Sequence, residues 1–223
     1  MEQQYGKHRK YYTPAEVSLH NCGNDCWVSI FHQVFDISSL LKTNKGPLAQ
    51  PLVRFAGQDL SHWFDEETRD IKRKVDPETG LKLPHLPYGR FIHVAPPAPV
   101  SDWATDFACP WWQDSSFVIG SLSKGTRKIR VMNTLSDQES LLEVAAEETM
   151  GEILDRYTAW NAHASSYTWK TLDNDEFRPL DMGKTLDENG IPDESAEFDR
   201  LSIEHGFFYP ALFLYYDDDL TVA

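Results

Sequence analysis

The sequence predicts an α+β chain built as two successive modules, and three observations predict it. Up to about residue 75, short runs rich in aromatic and β-branched residues alternate with capped helix starts. From Asp76 to about Ser115, prolines and glycines recur, yet the stretch also carries Tyr88, Phe91, Trp103, Phe107, Trp111 and Trp112. From residue 126 a hairpin, a helix, a strand, a Leu-x-x-x-Gly-Ile turn and a last apolar strand follow in order. The expected boundaries are a tail over 1–10, a first domain over 11–125 with an insertion at about 76–115, and a second domain over 126–223.

Each element has a local cause. Thr13-Pro14-Ala15-Glu16-Val17 supplies a Thr cap, Pro at the first helical position and Glu at the third, a helix start. Trp27 to Phe31 and Gln33 to Ile37 have strand composition, and Asp36 to Leu41 opens another short helix. The charged run from Asp65 to Lys74 is expected to be helical. The prolines of 76–115 are expected to break any regular element. A disordered linker is seldom so aromatic, so this stretch reads as an ordered insertion whose rings pack on its neighbour. Ser116 to Leu122 is a strand. Lys128 to Asn133 and Ser140 to Val144 alternate as a hairpin, and Thr149 with Glu152 forms a capping box on an amphipathic helix through Tyr157. Tyr167 to Lys170 is a third strand, Thr185 to Ile191 a capped turn, and Pro210 to Tyr216 a buried strand.

Composition excludes several functions. No run approaches eighteen consecutive apolar residues and the first ten residues are polar, so neither a membrane span nor a signal peptide is expected. Three cysteines, Cys22, Cys26 and Cys109, are an odd count for a disulfide framework and fit a reducing cytoplasm. Residues 126–223 hold 21 acidic and 8 basic side chains, a formal −13 of the chain's −14. Such a half repels phosphate backbones, so nucleic acid is not an expected partner; it suits solubility or docking to a basic protein surface. The acidic runs lack the alternating ligands, central Gly and closing Glu of an EF-hand and read as a solvated face. No Gly-rich phosphate loop, nucleophile elbow or metalloprotease helix is present, and the chain is not expected to be an enzyme.

Three segments of the first module carry a resemblance. The Tyr11-to-Val17 opening, the Trp27-Val28 and Val34-Phe35-Asp36-Ile37 strands, and Ala56-Gly57-Gln58-Asp59 followed by Phe64 resemble the front of a cytochrome b5 haem-binding domain. In that family two histidines ligate the iron. Their positions here are Lys45, eleven residues before Ala56, and Arg69, five after Phe64. The resemblance implies a b-type haem lined by Phe64, but arginine stays protonated and lysine must first lose its proton, so other ligands are needed. The candidates for the iron are His62, on the crevice segment, and His93, in the strand-like run Arg90 to Val94 of the insertion; His85 and Tyr88 share that insertion. The ordinary alternative for each is a hydrogen-bonded surface or core side chain. Trp103, Trp111 and Trp112 either close over a porphyrin or fill a core or interface.

The second module is similar to a ubiquitin-like β-grasp. Its end, Leu220-Thr221-Val222-Ala223, lacks the Gly-Gly that conjugation needs, so it reads as an interaction domain. Ala56 to Phe64, Trp103 to Phe107, Pro110 to Gln113, Ser165 to Lys170 and Asp217 to Thr221 together resemble the ciliary cytochrome b5 domain-containing proteins. That resemblance implies a cytoplasmic, cytoskeletal protein of the axoneme of cilia and flagella, with radial spoke components as partners and a redox-sensing or regulatory role in motility. The alternative is a haem-free structural adaptor that uses both folds as protein-binding surfaces.

Overall fold

The structure, a computed structural model, describes residues 10–78, 80–98, 100, 103, 106–173, 175–204 and 208–216. The expected tail, apart from Lys10, and the acidic run Asp217-Asp218-Asp219 lie outside the described residues. The chain divides into two compact units at the junction of Leu122 and Ser123. Among the described residues no helix is long and apolar enough to cross a membrane.

The first unit runs β1 (Tyr11–Tyr12), α1 (Pro14–Leu19), β2 (Asn21–Cys22), β3 (Asp25–Ile30), β4 (Gln33–Asp36), α2 (Ser38–Thr43), α3 (Gln50–Arg54), β5 (Arg73–Val75), β6 (Lys82–Pro84) and β7 (Val118–Leu122). Its sheet has the order β1-β7-β4-β3-β2, with β1 parallel to β7 and the other pairs antiparallel. Alternation decides the faces. Val28, Ile30 and Phe35 turn to the main core with Leu40 and Leu41 of α2 and Leu52 of α3, while Trp27 and Val34 join Tyr12 and Val17 on the opposite face. The capping box of Thr13 and Glu16 is formed in both directions, at 3.2 and 2.9 Å.

The stretch Ala56-Gly57-Gln58-Asp59 locks to β3. Gly57 has φ +77°, and a Cβ there would stand 3.1 Å from the Ser18 backbone, so only glycine fits this turn. Asp59 Oδ1 accepts the hydroxyls of Ser29 at 2.9 Å and Ser61 at 2.7 Å.

Three sequence expectations fail in this unit. Residues 65–74 form no helix: the Asp65 carboxylate accepts the Glu67 and Thr68 N–H groups in a single turn, Arg69 takes φ +54°, and Ile71 bridges Phe64. The carboxylate that reads as a helix-forming charge is a turn cap that ends the helix before it starts. The insertion does hold regular structure, since β5 and β6 pair as a two-stranded ribbon with Pro84 at its end. Residues 90–94 are a turn with His93 at φ +66°, not a strand.

The second unit comprises β8 (Thr126–Asn133), β9 (Gln138–Ala145), α4 (Met150–Tyr157), β10 (Tyr167–Asp173), β11 (Glu176–Pro179), α5 (Ser195–Leu201) and β12 (Ala211–Tyr216). The sheet order is β11-β10-β12-β8-β9, with first strand β8 and last strand β12 parallel at its centre. That order, with one helix crossing the sheet, is the β-grasp. Ile129, Val131, Leu212, Leu214 and Trp169 pack against Met150, Ile153 and Tyr157 of α4. Thr149 and Glu152 cap α4 reciprocally. Behind the cap, buried Glu148 meets buried Arg156 at 2.6 Å. Buried Arg127 holds Asp187 at 2.9 Å and donates to the carbonyls of Ile191 and Pro192.

Candidate functional site

The resemblance places its crevice along the segment Ala56 to Phe64, with Phe64 as the lining residue. In the structure that region is packed by the chain itself. Phe64 is 1% exposed, and Trp111 is fully buried, edge-on to Phe35 at 6.1 Å, to Phe64 at 6.4 Å and to Phe91 at 6.4 Å. Trp112 tilts on Phe64 at 5.7 Å. The pair rides on the tight turn 111–113, so the insertion supplies core aromatics to the b5-like sheet. Trp103 stands apart from this packing, half-buried beside Phe107 at 6.0 Å.

An open depression of about 520 Å3 remains beside the aromatic packing. Ile30, Phe35, Phe64, Trp112 and Val118 form its apolar wall, and Gln33, Arg69 and Asp114 its polar rim. Arg69 lies over the Phe31 ring at 4.5 Å, a cation held by an aromatic face. The size is within the roughly 300–1,000 Å3 of small-ligand clefts. The indole N–H groups of Trp63, Trp111 and Trp112 are buried with no acceptor among the described residues. Three unsatisfied donors in one core are uncommon, because each leaves a desolvation cost unreturned.

The two histidines singled out in the sequence occupy different surroundings. His62 is exposed on the short turn 61–63, with Phe55 at 6.4 Å, Trp63 at 6.0 Å and Tyr88 at 6.4 Å as ring neighbours. His93 is half-buried and stacks on Phe107 at 4.0 Å. Its Nδ1 accepts the backbone N–H of Trp111 at 3.0 Å, which places the proton of the neutral ring on Nε2. Burial pushes the His93 pKa below its usual value, against the opposing pull of Asp106 and Asp114. The two rings share no ring neighbour. Neither lines the depression. His85 is exposed and Tyr88 lies on Trp63 at 5.7 Å, in the cluster that holds His62.

A b-type haem fits this arrangement in part. The apolar side chains and the cation at the rim are groups that a porphyrin and its carboxylates take, but Phe35 and Phe64 are covered, at 2% and 1% exposure. The axial positions do not suit its iron: Lys45 is exposed between α2 and α3, and Arg69 is engaged with Phe31. Among the described residues no cluster of three His, Cys, Asp or Glu suited to a metal ion is present. His93 is the imidazole tied to the wall, because the turn that carries Trp112 and Asp114 to the depression begins at the N–H it accepts. Sequence reasoning missed Phe35 and Arg69 as lining residues. The signal for Phe35 was its place in the strand before the crevice; Arg69 had been read only as a lost ligand.

Comparison with known proteins agrees with the fold of the first unit. The family model described as "Cytochrome b5-like Heme/Steroid binding domain" matches residues 13–75. "Cytochrome b5 domain-containing protein 1" of Homo sapiens is 52% identical over 214 residues, which is 96% of this chain and 92% of the human protein. The Xenopus laevis protein of the same name is 49% identical over 213 residues, 95% of this chain and 96% of that one. "Cytochrome b5" of Drosophila melanogaster is 30% identical over 70 residues, 29% of this chain and 52% of that protein.

Proposed function

Because the chain belongs to the family of cytochrome b5 domain-containing protein 1, we propose that it is a non-enzymatic regulatory component of the ciliary axoneme, held near the radial spokes, whose b5-like unit takes a b-type haem through His93. The axonemal placement rests on the likeness of segments 56–64, 103–113 and 165–170 to ciliary proteins of this kind. The observation that carries the haem assignment is the bond from the Trp111 backbone N–H to His93 Nδ1. It keeps the ring neutral, as a ligand must be, and ties it to the residue that fills the crevice. Displacing the turn 111–113 frees the Nδ1 lone pair and the wall of Phe35 and Phe64 together. Arg69 then stands at the rim as a partner for carboxylates. A bound haem supplies a one-electron couple.

The second reading, a haem-free adaptor, is favoured by the replacement of both axial histidines and by the full burial of Trp111. Titration of ferric haem into the full chain separates the two. One anchoring imidazole gives a stoichiometric Soret shift of high-spin character that His93→Ala abolishes. A low-spin spectrum lost in His62→Ala brings His62 in as second ligand. Free-haem absorbance throughout removes the haem and leaves the adaptor. For the placement, a tagged chain in ciliated cells is expected to stay with detergent-extracted axonemes; loss to the soluble fraction counts against it.

A further inference from the structure

The capped turn at 185–191 holds the single Asn-Gly pair of the sequence, Asn189-Gly190, and the fold needs both residues. Thr185 and Glu188 cap the turn reciprocally. The Glu188 carboxylate accepts the Thr185 N–H at 2.9 Å, and the Thr185 hydroxyl accepts the Glu188 N–H at 3.3 Å. Gly190 ends the turn at φ +77°, where a Cβ would also stand 3.4 Å from the Arg178 guanidinium. Its N–H donates to the Asp187 carbonyl at 2.9 Å. Asn189 is only 3% exposed. Its side-chain amide donates to the carbonyls of Thr185 at 2.9 Å, Asp181 at 3.0 Å and Lys184 at 3.4 Å, while its Oδ1 accepts the Asp181 N–H at 2.9 Å. Arg178 donates to its main-chain carbonyl. One side chain thus ties 181–185 to the turn, beside Leu180, Leu186 and Ile191 of the core. The same loop receives the first N–H groups of α4, Met150 on the Lys184 carbonyl and Gly151 on the Met182 carbonyl, both at 2.8 Å.

We propose that Asn189-Gly190 is a deamidation site kept closed by this turn, so that opening of the second unit is recorded in the chain as a covalent change. The Gly190 nitrogen gives its proton to hydroxide and attacks Cγ of Asn189. The bond from Cγ to the side-chain nitrogen breaks, ammonia leaves and a succinimide ring forms. Water then adds to one of the two ring carbonyls and opens the ring to aspartate or isoaspartate. Glycine on the attacking side favours the closure, because no Cβ crowds the nitrogen. The folded turn withholds both partners: the attacking N–H is engaged with Asp187, and the side-chain amide is held by four hydrogen bonds. The product does not fit the turn. A carboxylate has no hydrogen to offer three carbonyl oxygens, and at this depth it is a buried charge facing them. Isoaspartate also carries the main chain through an extra methylene. A chain that opens here and reacts therefore does not return to the native state. The proposal stands apart from the haem assignment, which concerns the other unit.

The test holds the full chain in mildly alkaline buffer made with heavy-oxygen water, which labels each converted residue 189. Digestion in ordinary water follows, so that later conversion carries no label, and the tryptic peptide 185–200 is read by mass spectrometry. Conversion in guanidinium chloride should outrun conversion of the native chain by at least about a hundredfold, since only the opened fraction reacts. Thr185→Ala removes the hydroxyl cap four residues from the reacting bond. It should raise the native rate roughly fivefold, the usual effect of a lost cap read as an opening ratio, and leave the guanidinium rate unchanged. Chains converted in guanidinium, and Asn189→Asp made directly, should lack slow amide exchange in β8 and β12 once the denaturant is removed. Unconverted chains taken through the same cycle should regain it. Equal rates in the native chain and in guanidinium, a native rate unmoved by Thr185→Ala, or full protection of β8 and β12 in Asn189→Asp would each overturn the proposal.

Discussion

Replacing Trp111 tests the packing of the crevice most directly. The side chain is fully buried among Phe35, Phe64, Phe91 and Trp112, so Trp111→Ala opens a cavity of the kind that costs about 3–5 kcal/mol. The indole N–H has no acceptor among the described residues, and deleting it returns about 1–3 kcal/mol of unmet desolvation. The net loss should be about 2 kcal/mol, the difference between the middles of those two ranges. Trp111→Phe keeps most of the ring and removes the same orphan donor, so it should fall within about 1 kcal/mol of the parent. Amide hydrogen exchange in β3, β4 and α3 reads the first unit separately from the second. If Trp111→Ala leaves that exchange unchanged, or Trp111→Phe is as damaging as Trp111→Ala, the indole is not the packing element described. In a haem-binding chain, Trp111→Ala should also tighten haem uptake, because the space beside Phe35 and Phe64 is already open.

Burial holds His93 below its usual pKa of 6.5, so on acidification the unfolded chain takes the proton first. The stability it confers is complete above about pH 6.5 and drains away below it, and His93→Gln should flatten the denaturation midpoint between about pH 7.5 and 5.5; an unaltered slope would show that another group titrates there. Glu148→Ala removes the carboxylate that meets the buried Arg156 guanidinium at 2.6 Å and should cost about 3–5 kcal/mol in the second unit, read by exchange in α4; a loss under about 1 kcal/mol would mean that the pair contributes little to that unit. Burial pushes the Cys26 thiol up to about 12, so a thiol reagent at neutral pH should label exposed Cys22 and spare Cys26 until the chain unfolds; early labelling of Cys26 contradicts its burial.

What was legible in the chain was what short-range chemistry decides. Both capping boxes, the paired strands of each unit and the final apolar strand lie where Thr–x–x–Glu spacing and alternation put them. The run 65–74 misled because charged residues suit a helix surface and a turn equally, and only the Asp65 hydrogen bonds separate the two. β11 and α5 were missed: β11 has no buried residue to set a period, and α5 buries none of its seven. The aromatic richness of the insertion pointed to rings that pack, and Phe91, Trp111 and Trp112 are buried. It did not say which rings would turn inward, because that depends on contacts between Trp111 and residues more than forty positions away. His93 was picked out by its place in the insertion, but its bond to the Trp111 backbone N–H had no local signature, since it spans 18 residues.

Each unit is closed by pairing its own two ends. β1 lies parallel to β7, and β8 lies parallel to β12, with both pairs far apart in sequence. A chain leaving the ribosome therefore cannot complete the first sheet until residue 122 has emerged, after the whole insertion has been made. The second sheet must wait for β12 to fill its centre, leaving β8 and β10 with open edges until then. Of the two open edges in the second sheet, that of β8, the strand of Ile129 and Val131, is exposed longer and is where misassembly between nascent chains of this unit would begin. The charges interleaved with those residues, Lys128 and Arg130, act there as guards against pairing with another chain.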